Sequence, residues 1–191
     1  MSPLDAGVRR QAEQFVRPLY AGLDGVQTFG QVERLHARIA AIRGNIGGIA
    51  IDEDLLELLL LLQGVVDRLG SLGPGGRLDL FLKGLGLADD LARRVRAGLG
   101  RLREDPRGIE EELVHDALLL ESAGVVATAE RLMAAGKKRT PVARALAQLD
   151  PGPSAERYRT PRAGALGAER RKEAERWIEE LRRKVAEEGV S

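Results

Sequence analysis

Apolar residues recur at helical spacing along most of the chain. Val32, Leu35, Ile39 and Ile42 fall on one face of a helix, and no convincing strand alternation appears elsewhere. The pattern, with the capping and breaking residues between its segments, predicts helices over about 3–19, 29–43, 53–69, 77–84, 88–103, 109–120, 122–135, 141–149 and 166–188. We therefore expect an all-α fold.

The most apolar of these segments is a leucine helix that follows Asp52, which is expected to cap it. Seven of the eight residues at 55–62 are leucine, and the run stops at Gln63-Gly64. It is shorter than the ~20 apolar residues of a membrane span. No signal-peptide pattern precedes it. The expectation is a buried helix in a cytoplasmic protein that does not enter a membrane.

The last segment predicts a long amphipathic helix over 166–188. Its apolar stripe contains Ala174, Trp177, Ile178, Leu181 and Val185, and its other face alternates acids with bases. With 191 residues in all, we expect a single domain over 1–191 that ends in this charged helix.

The amino-acid composition limits the kind of core and the side chains available for catalysis. Hydrophobic residues are 43% of the chain and aromatic residues only 3%, which favours an aliphatic helical core. The absence of cysteine excludes thiolate chemistry, and imidazole chemistry is restricted to His36 and His115. A net charge of +1 gives no general argument for nucleic acid. Abundant arginine beside a single asparagine fits a thermophilic source.

Four stretches, in this order, resemble the HD-domain metal-dependent phosphohydrolases: 15–40, 55–67, 112–132 and 158–185. In that family the first holds a histidine motif and the second ends in the His-Asp pair. The third carries a distal aspartate, and the fourth resembles the closing Thr-x-x-Gly segment of one bacterial subgroup. The resemblance implies an HD-domain-like bundle of about seven to nine helices.

The resemblance also places this chain's residues at the family's metal-ligand positions. Gln31 stands at the first histidine, Gln27 at its upstream partner, and Gln63-Gly64 at the His-Asp pair. Only Asp116, at the distal aspartate, is retained. Glycines within 74–77 and 97–102 stand where many relatives place further histidines.

These replacements predict that no metal is bound and that no cofactor is needed. An amide is neutral and a poor donor to transition metals, and glycine offers no side chain at all. Without the ion, the metal-bound water that acts as nucleophile is lost too. We instead expect Gln31, Gln63 and Asp116 to hydrogen-bond one another, so that replacing Gln63 with leucine would destabilise the fold.

The segment 131–162 is strongly basic, with eight basic residues against two acidic ones. In the resembling family, basic residues near this part of the fold face the substrate phosphate. The candidate anion-binding residues are Lys137, Lys138, Arg139, Arg157 and Arg159. The alternative is a solvated basic face. Nucleic acid is not expected, because no aromatic residues are interleaved for stacking.

The sequence therefore predicts a catalytically inactive HD-like protein that binds a phosphorylated small molecule, a nucleotide or a protein partner. One alternative is an active phosphohydrolase with an atypical ligand set drawn from His115, Asp116, Asp67 and Glu33. Another is a structural helical module that forms a homodimer.

Overall fold

A computed structural model describes residues 5–21, 29–44 and 48–188. Its helices are α1 (Ala6–Tyr20), α2 (Gly30–Arg43), α3 (Glu53–Leu62), α4 (Val66–Leu69), α5 (Arg77–Gly84), α6 (Asp89–Arg101), α7 (Ile109–Glu121), α8 (Val125–Lys137), α9 (Val142–Ala147) and α10 (Pro161–Glu187). Short 3-10 turns occupy Gln63–Val65 and Ala155–Arg157. No strand occurs within the described ranges, so the all-α class is confirmed.

The leucine helix is interrupted where the sequence predicted continuous helix. α3 ends at Leu62, a 3-10 turn follows, and α4 then runs for one turn. If this interrupted run is taken as one unit, the described residues form nine helical segments, which agrees with the seven to nine expected. The predicted capping of α3 by Asp52 is confirmed, since its carboxylate accepts the Leu55 N–H at 3.2 Å.

α10 begins about five residues earlier than predicted. Thr160 is its N-cap, with the side-chain hydroxyl accepting the Ala163 N–H, and Pro161 occupies the first helical position. Threonine followed by proline is a strong start signal. Gly164 lies within the added first turn, and the weak helix propensity of glycine does not prevent the earlier start.

The chain divides into two compact units, 1–115 and 116–191, and the division falls inside α7. The single domain expected over 1–191 stays a prediction. In the first unit α3 packs against α1, α2 and α6. All seven leucines of 55–62 are buried, so this helix is the centre of that unit's core.

In the second unit α10 packs against α8 and α9. Ala174 and Ile178 of its predicted stripe are buried, while Trp177, Leu181 and Val185 are half-buried. Its outer face carries i,i+4 pairs such as Arg183–Glu187. Within the described part of the chain, no helix combines the length and the apolar character needed to cross a lipid bilayer.

Candidate functional site

The positions that the sequence resemblance assigns to metal ligands are the first candidates for a site. Gln27 lies outside the described residues. Gln31, near the start of α2, is 9% exposed, and Gln63, in the 3-10 turn after α3, is 4% exposed. Among the described residues, Gln31 Oε1 and Gln63 Nε2 have no hydrogen-bond partner. Both amides are therefore buried with one polar atom unsatisfied.

Gly64, at the position of the pair's aspartate, lies directly under the ring of Tyr20. A Cβ added at Gly64 would lie 2.5 Å from the Tyr20 hydroxyl and 2.7 Å from Cε1 of the ring. Such distances are below any ordinary van der Waals contact. Tyr20, at the end of α1, therefore takes the space that an aspartate side chain would need.

Tyr20 also fixes the backbone at the break in the leucine helix. Its hydroxyl donates to the Leu61 carbonyl and accepts the Gly64 N–H, both at 3.2 Å. Burial raises the pKa of Tyr20 to about 12, although the hydrogen bond from Gly64 opposes the rise. The tyrosine thus stays neutral and can serve both bonds at once.

Two further glycines at expected histidine positions are also closely packed. A Cβ at Gly98 would lie 3.0 Å from a Leu59 methyl carbon and 3.2 Å from Glu111 Oε1. Glu111 is itself buried and pairs with Arg101. At Gly76 an added Cβ would meet the Ser71 carbonyl oxygen. Neighbouring groups crowd both positions.

Asp116 is fully buried in α7 and its carboxylate is occupied by backbone and hydroxyl donors. Oδ1 accepts the Arg159 N–H at 2.8 Å, and Oδ2 accepts the Thr160 N–H at 2.8 Å. The Thr160 hydroxyl donates to Oδ2 at 2.7 Å. In the second unit Asp116 therefore anchors the residue that caps α10.

Asp116 is not satisfied by the hydrogen bonds that the sequence led us to expect with Gln31 and Gln63. Its acceptors are used by Arg159 and Thr160, and each glutamine keeps an unsatisfied atom. The physical reason is that Arg159 and Thr160 are adjacent in the chain, so two backbone N–H groups and one hydroxyl reach the carboxylate from one short segment. They satisfy a carboxylate better than two separate amide side chains do.

The atypical ligand set is not assembled as a cation site. His115 is buried in α7, and its Nδ1 contacts the Leu102 carbonyl oxygen at 2.8 Å, as expected of a structural histidine. Asp67 and Glu33 are exposed. Across the described ranges no cluster of three or more histidine, cysteine or acidic residues could hold a metal ion. These donors do not fit the family's divalent metal.

The candidate anion-binding residues lie on two separate segments of the second unit, and all are exposed. Lys137 ends α8 and Lys138 and Arg139 follow it, whereas Arg157 and Arg159 flank Tyr158 just before α10. Tyr158 lies between these two arginines in the sequence. Its pKa is raised by burial and by the negative charge of Asp116.

Tyr20 and Thr160 were not among the candidate site residues, although Tyr20 contacts Gly64 and Thr160 binds Asp116. Thr160-Pro161 carried an ordinary helix-start signal that would have placed a cap there. Tyr20 carried no comparable signal, because its contact with Gly64 joins positions 44 residues apart.

The unsatisfied amide of Gln63 reverses the expected effect of a leucine at this position. We expect Gln63→Leu to stabilise the protein by about 1 kcal/mol, because it removes a buried polar group that lacks a partner. At this chain length the melting temperature should rise by about 2–4 °C in calorimetry. Gln148→Leu, at an exposed glutamine, is the matched control and should change little. If Gln63→Leu, but not Gln148→Leu, lowered the melting temperature, that result would support the hydrogen-bond network expected from the sequence.

Comparisons with known proteins identify the fold. A crystal structure of an HD-superfamily hydrolase from Bacillus thuringiensis matches with a TM-score of 0.64. The match covers 92% of this chain and 95% of that chain at 16% identity. No family model matches the sequence, and a search of curated proteins gives no significant match. The HD-like helical fold expected from the four stretches is confirmed.

Proposed function

We propose that this chain, which has the fold of an HD-superfamily hydrolase, is a catalytically inactive binding protein. The observation that carries the proposal is the contact of Tyr20 with Gly64. It fills the place of the aspartate on which the family's metal site depends. Since the ion supplies the nucleophile, losing its ligands removes the parent reaction.

The use of Asp116 supports the same proposal. A fully buried carboxylate that accepts three hydrogen bonds from Arg159 and Thr160 has only one of its roughly four lone-pair sites left, so an ion that needed more of it would have to displace these donors. Breaking these bonds would also release the cap of α10. The retained aspartate is therefore better explained by a structural role than by a catalytic one.

The ligand proposed for this protein is a phosphorylated small molecule or a nucleotide, bound by the exposed cations Lys137, Lys138, Arg139, Arg157 and Arg159. Lysine and arginine are the usual partners of phosphate oxygens. A protein partner with an acidic surface is the alternative ligand for the same residues.

Metal content and turnover test the loss of catalysis. We expect the purified chain to hold substoichiometric Mn, Fe, Ni and Zn by elemental analysis. It should not hydrolyse p-nitrophenyl phosphate or nucleotides when these ions are added. Stoichiometric metal together with phosphatase turnover that co-elutes with the protein and stops with chelator would establish the atypical phosphohydrolase instead.

A further inference from the structure

The outward face of α8, in the second unit, is apolar where a surface helix normally carries charge. Val126 is 74% exposed and Met133 is 62% exposed, and their spacing of two helical turns puts both side chains on one face. Ala129 lies between them on that face, while Ala127 and Thr128 on the other face are buried. A helix that is apolar on both faces is usually covered on both. The outward face of α8 is therefore a candidate contact surface.

Only two charged side chains share this outward face by helical spacing, Glu130 and Lys137. The third charged residue of α8, Arg131, donates instead to the carbonyl oxygens of Asp150 and Ser122. Glu130 and Lys137 have no ion-pair partner among the described residues. They are about 10.5 Å apart along the helix, which is too far for them to pair with each other. Each of these two charges could therefore be satisfied by another molecule.

We infer that the outward face of α8 binds the same face of a second copy of this chain, with the two helices antiparallel and Met133 near the twofold axis. Glu130 of one protomer then lies opposite Lys137 of the partner subunit, and symmetry forms this pair twice. The same register carries Val126 past the end of the partner's α8, towards the exposed Val142 of the partner subunit. Parallel helices would instead set like charges against each other, so the charges select the antiparallel order.

The size of this face predicts a weak and reversible dimer. α8 has 13 residues and is about 20 Å long, so two such faces bury less than the ~800 Å² per partner of a standard stable interface. The inference goes beyond the proposed function but shares one residue with it, since Lys137 is also one of the cations proposed to bind phosphate. The association is therefore measured in phosphate-free buffer of low ionic strength.

Sedimentation velocity of the full chain over a range of protein concentrations tests the inference. We expect a reversible equilibrium between monomer and dimer. Met133→Glu places two like charges near the twofold axis and should raise the dissociation constant at least about tenfold. The matched control is Leu80→Glu, because Leu80 on α5 of the first unit is also 62% exposed. This control should dimerise as the wild type does.

Exchanging the two charges tests the register. Glu130→Lys or Lys137→Glu alone should weaken the dimer about fivefold, because each turns two attractive pairs into two repulsive ones. The double variant forms both pairs again in reversed order and should dimerise like the wild type. A double variant that stays as weak as the single ones would overturn the inference.

Cross-linking tests the direction of the helices, because the chain has no cysteine of its own. Met133→Cys should be cross-linked between protomers by a short bismaleimide. Val126→Cys should not, since the antiparallel order separates its two copies by about 22 Å along the helices.

Three further results would overturn the inference: a chain that stays monomeric at every concentration, a dimer that Leu80→Glu weakens as much as Met133→Glu does, or efficient cross-linking of Val126→Cys. Each of them would leave the proposed loss of catalysis intact, because metal content and turnover measure that separately.

Discussion

Introducing aspartate at position 64 is expected to damage the protein rather than to create a metal ligand. The Gly64→Asp side chain would enter the volume of the Tyr20 ring and place a carboxylate in a partly buried site without a partner. Overpacking and an uncompensated charge together should cost about 3 kcal/mol or more. At this chain length the melting temperature should fall by about 10 °C, measured by calorimetry or circular dichroism.

The matched control for this variant is Gly84→Asp. Gly84 ends α5, is exposed, and has nothing within 4 Å of an added Cβ. An exposed acid at a helix end should cost well under 1 kcal/mol. If Gly64→Asp melted no lower than Gly84→Asp and bound Mn²⁺ or Ni²⁺, the tyrosine would not exclude a metal ligand at this position. The contact of Tyr20 with Gly64 would then no longer support the proposed loss of catalysis.

The second large effect is expected at Asp116. In Asp116→Asn one acceptor oxygen becomes an NH₂ group that faces N–H and O–H donors, so at least one buried bond becomes a repulsive contact. The loss of a charge-assisted network with no solvent to replace it should lower the free energy of unfolding by about 3 kcal/mol. Equilibrium unfolding in urea measures this directly.

Two variants at Thr160 give smaller expected losses of stability with which the Asp116→Asn result can be compared. Thr160→Val removes the hydroxyl and its cap but keeps the backbone N–H, so it should cost about 1–2 kcal/mol. Thr160→Ser keeps the hydroxyl and should be close to neutral. A metal-ligand role for Asp116 predicts the opposite pattern, in which Asp116→Asn leaves stability nearly unchanged in metal-free buffer. That outcome would contradict the capping role.

Helix positions were predictable because they depend on local features. The apolar stripe of α2 and the capping of α3 by Asp52 agree with the structure. The interruption of the leucine helix at Gln63 was not predicted, since leucine and glutamine are both good helix formers. At the interruption a distant tyrosine binds the Leu61 carbonyl, and no local pattern encodes such a contact.

The candidate site was predictable in position but not in its internal bonding. The sequence placed Gln31, Gln63 and Asp116 at interior positions, and all three are buried. Sequence spacing could not show that Asp116 is satisfied by residues 43 and 44 positions further along. Partner choice depends on which donors the fold brings near, and for Asp116 these came from the start of α10.

The ring of Tyr20 over Gly64 has an evolutionary consequence. An acidic residue at position 64 cannot be acquired by one substitution without loss of stability, because its side chain would meet the tyrosine ring. Shrinking the tyrosine first would leave a hole in the interior and orphan the Gly64 amide. Each order of change passes through a less stable intermediate, so the two positions are constrained to change together.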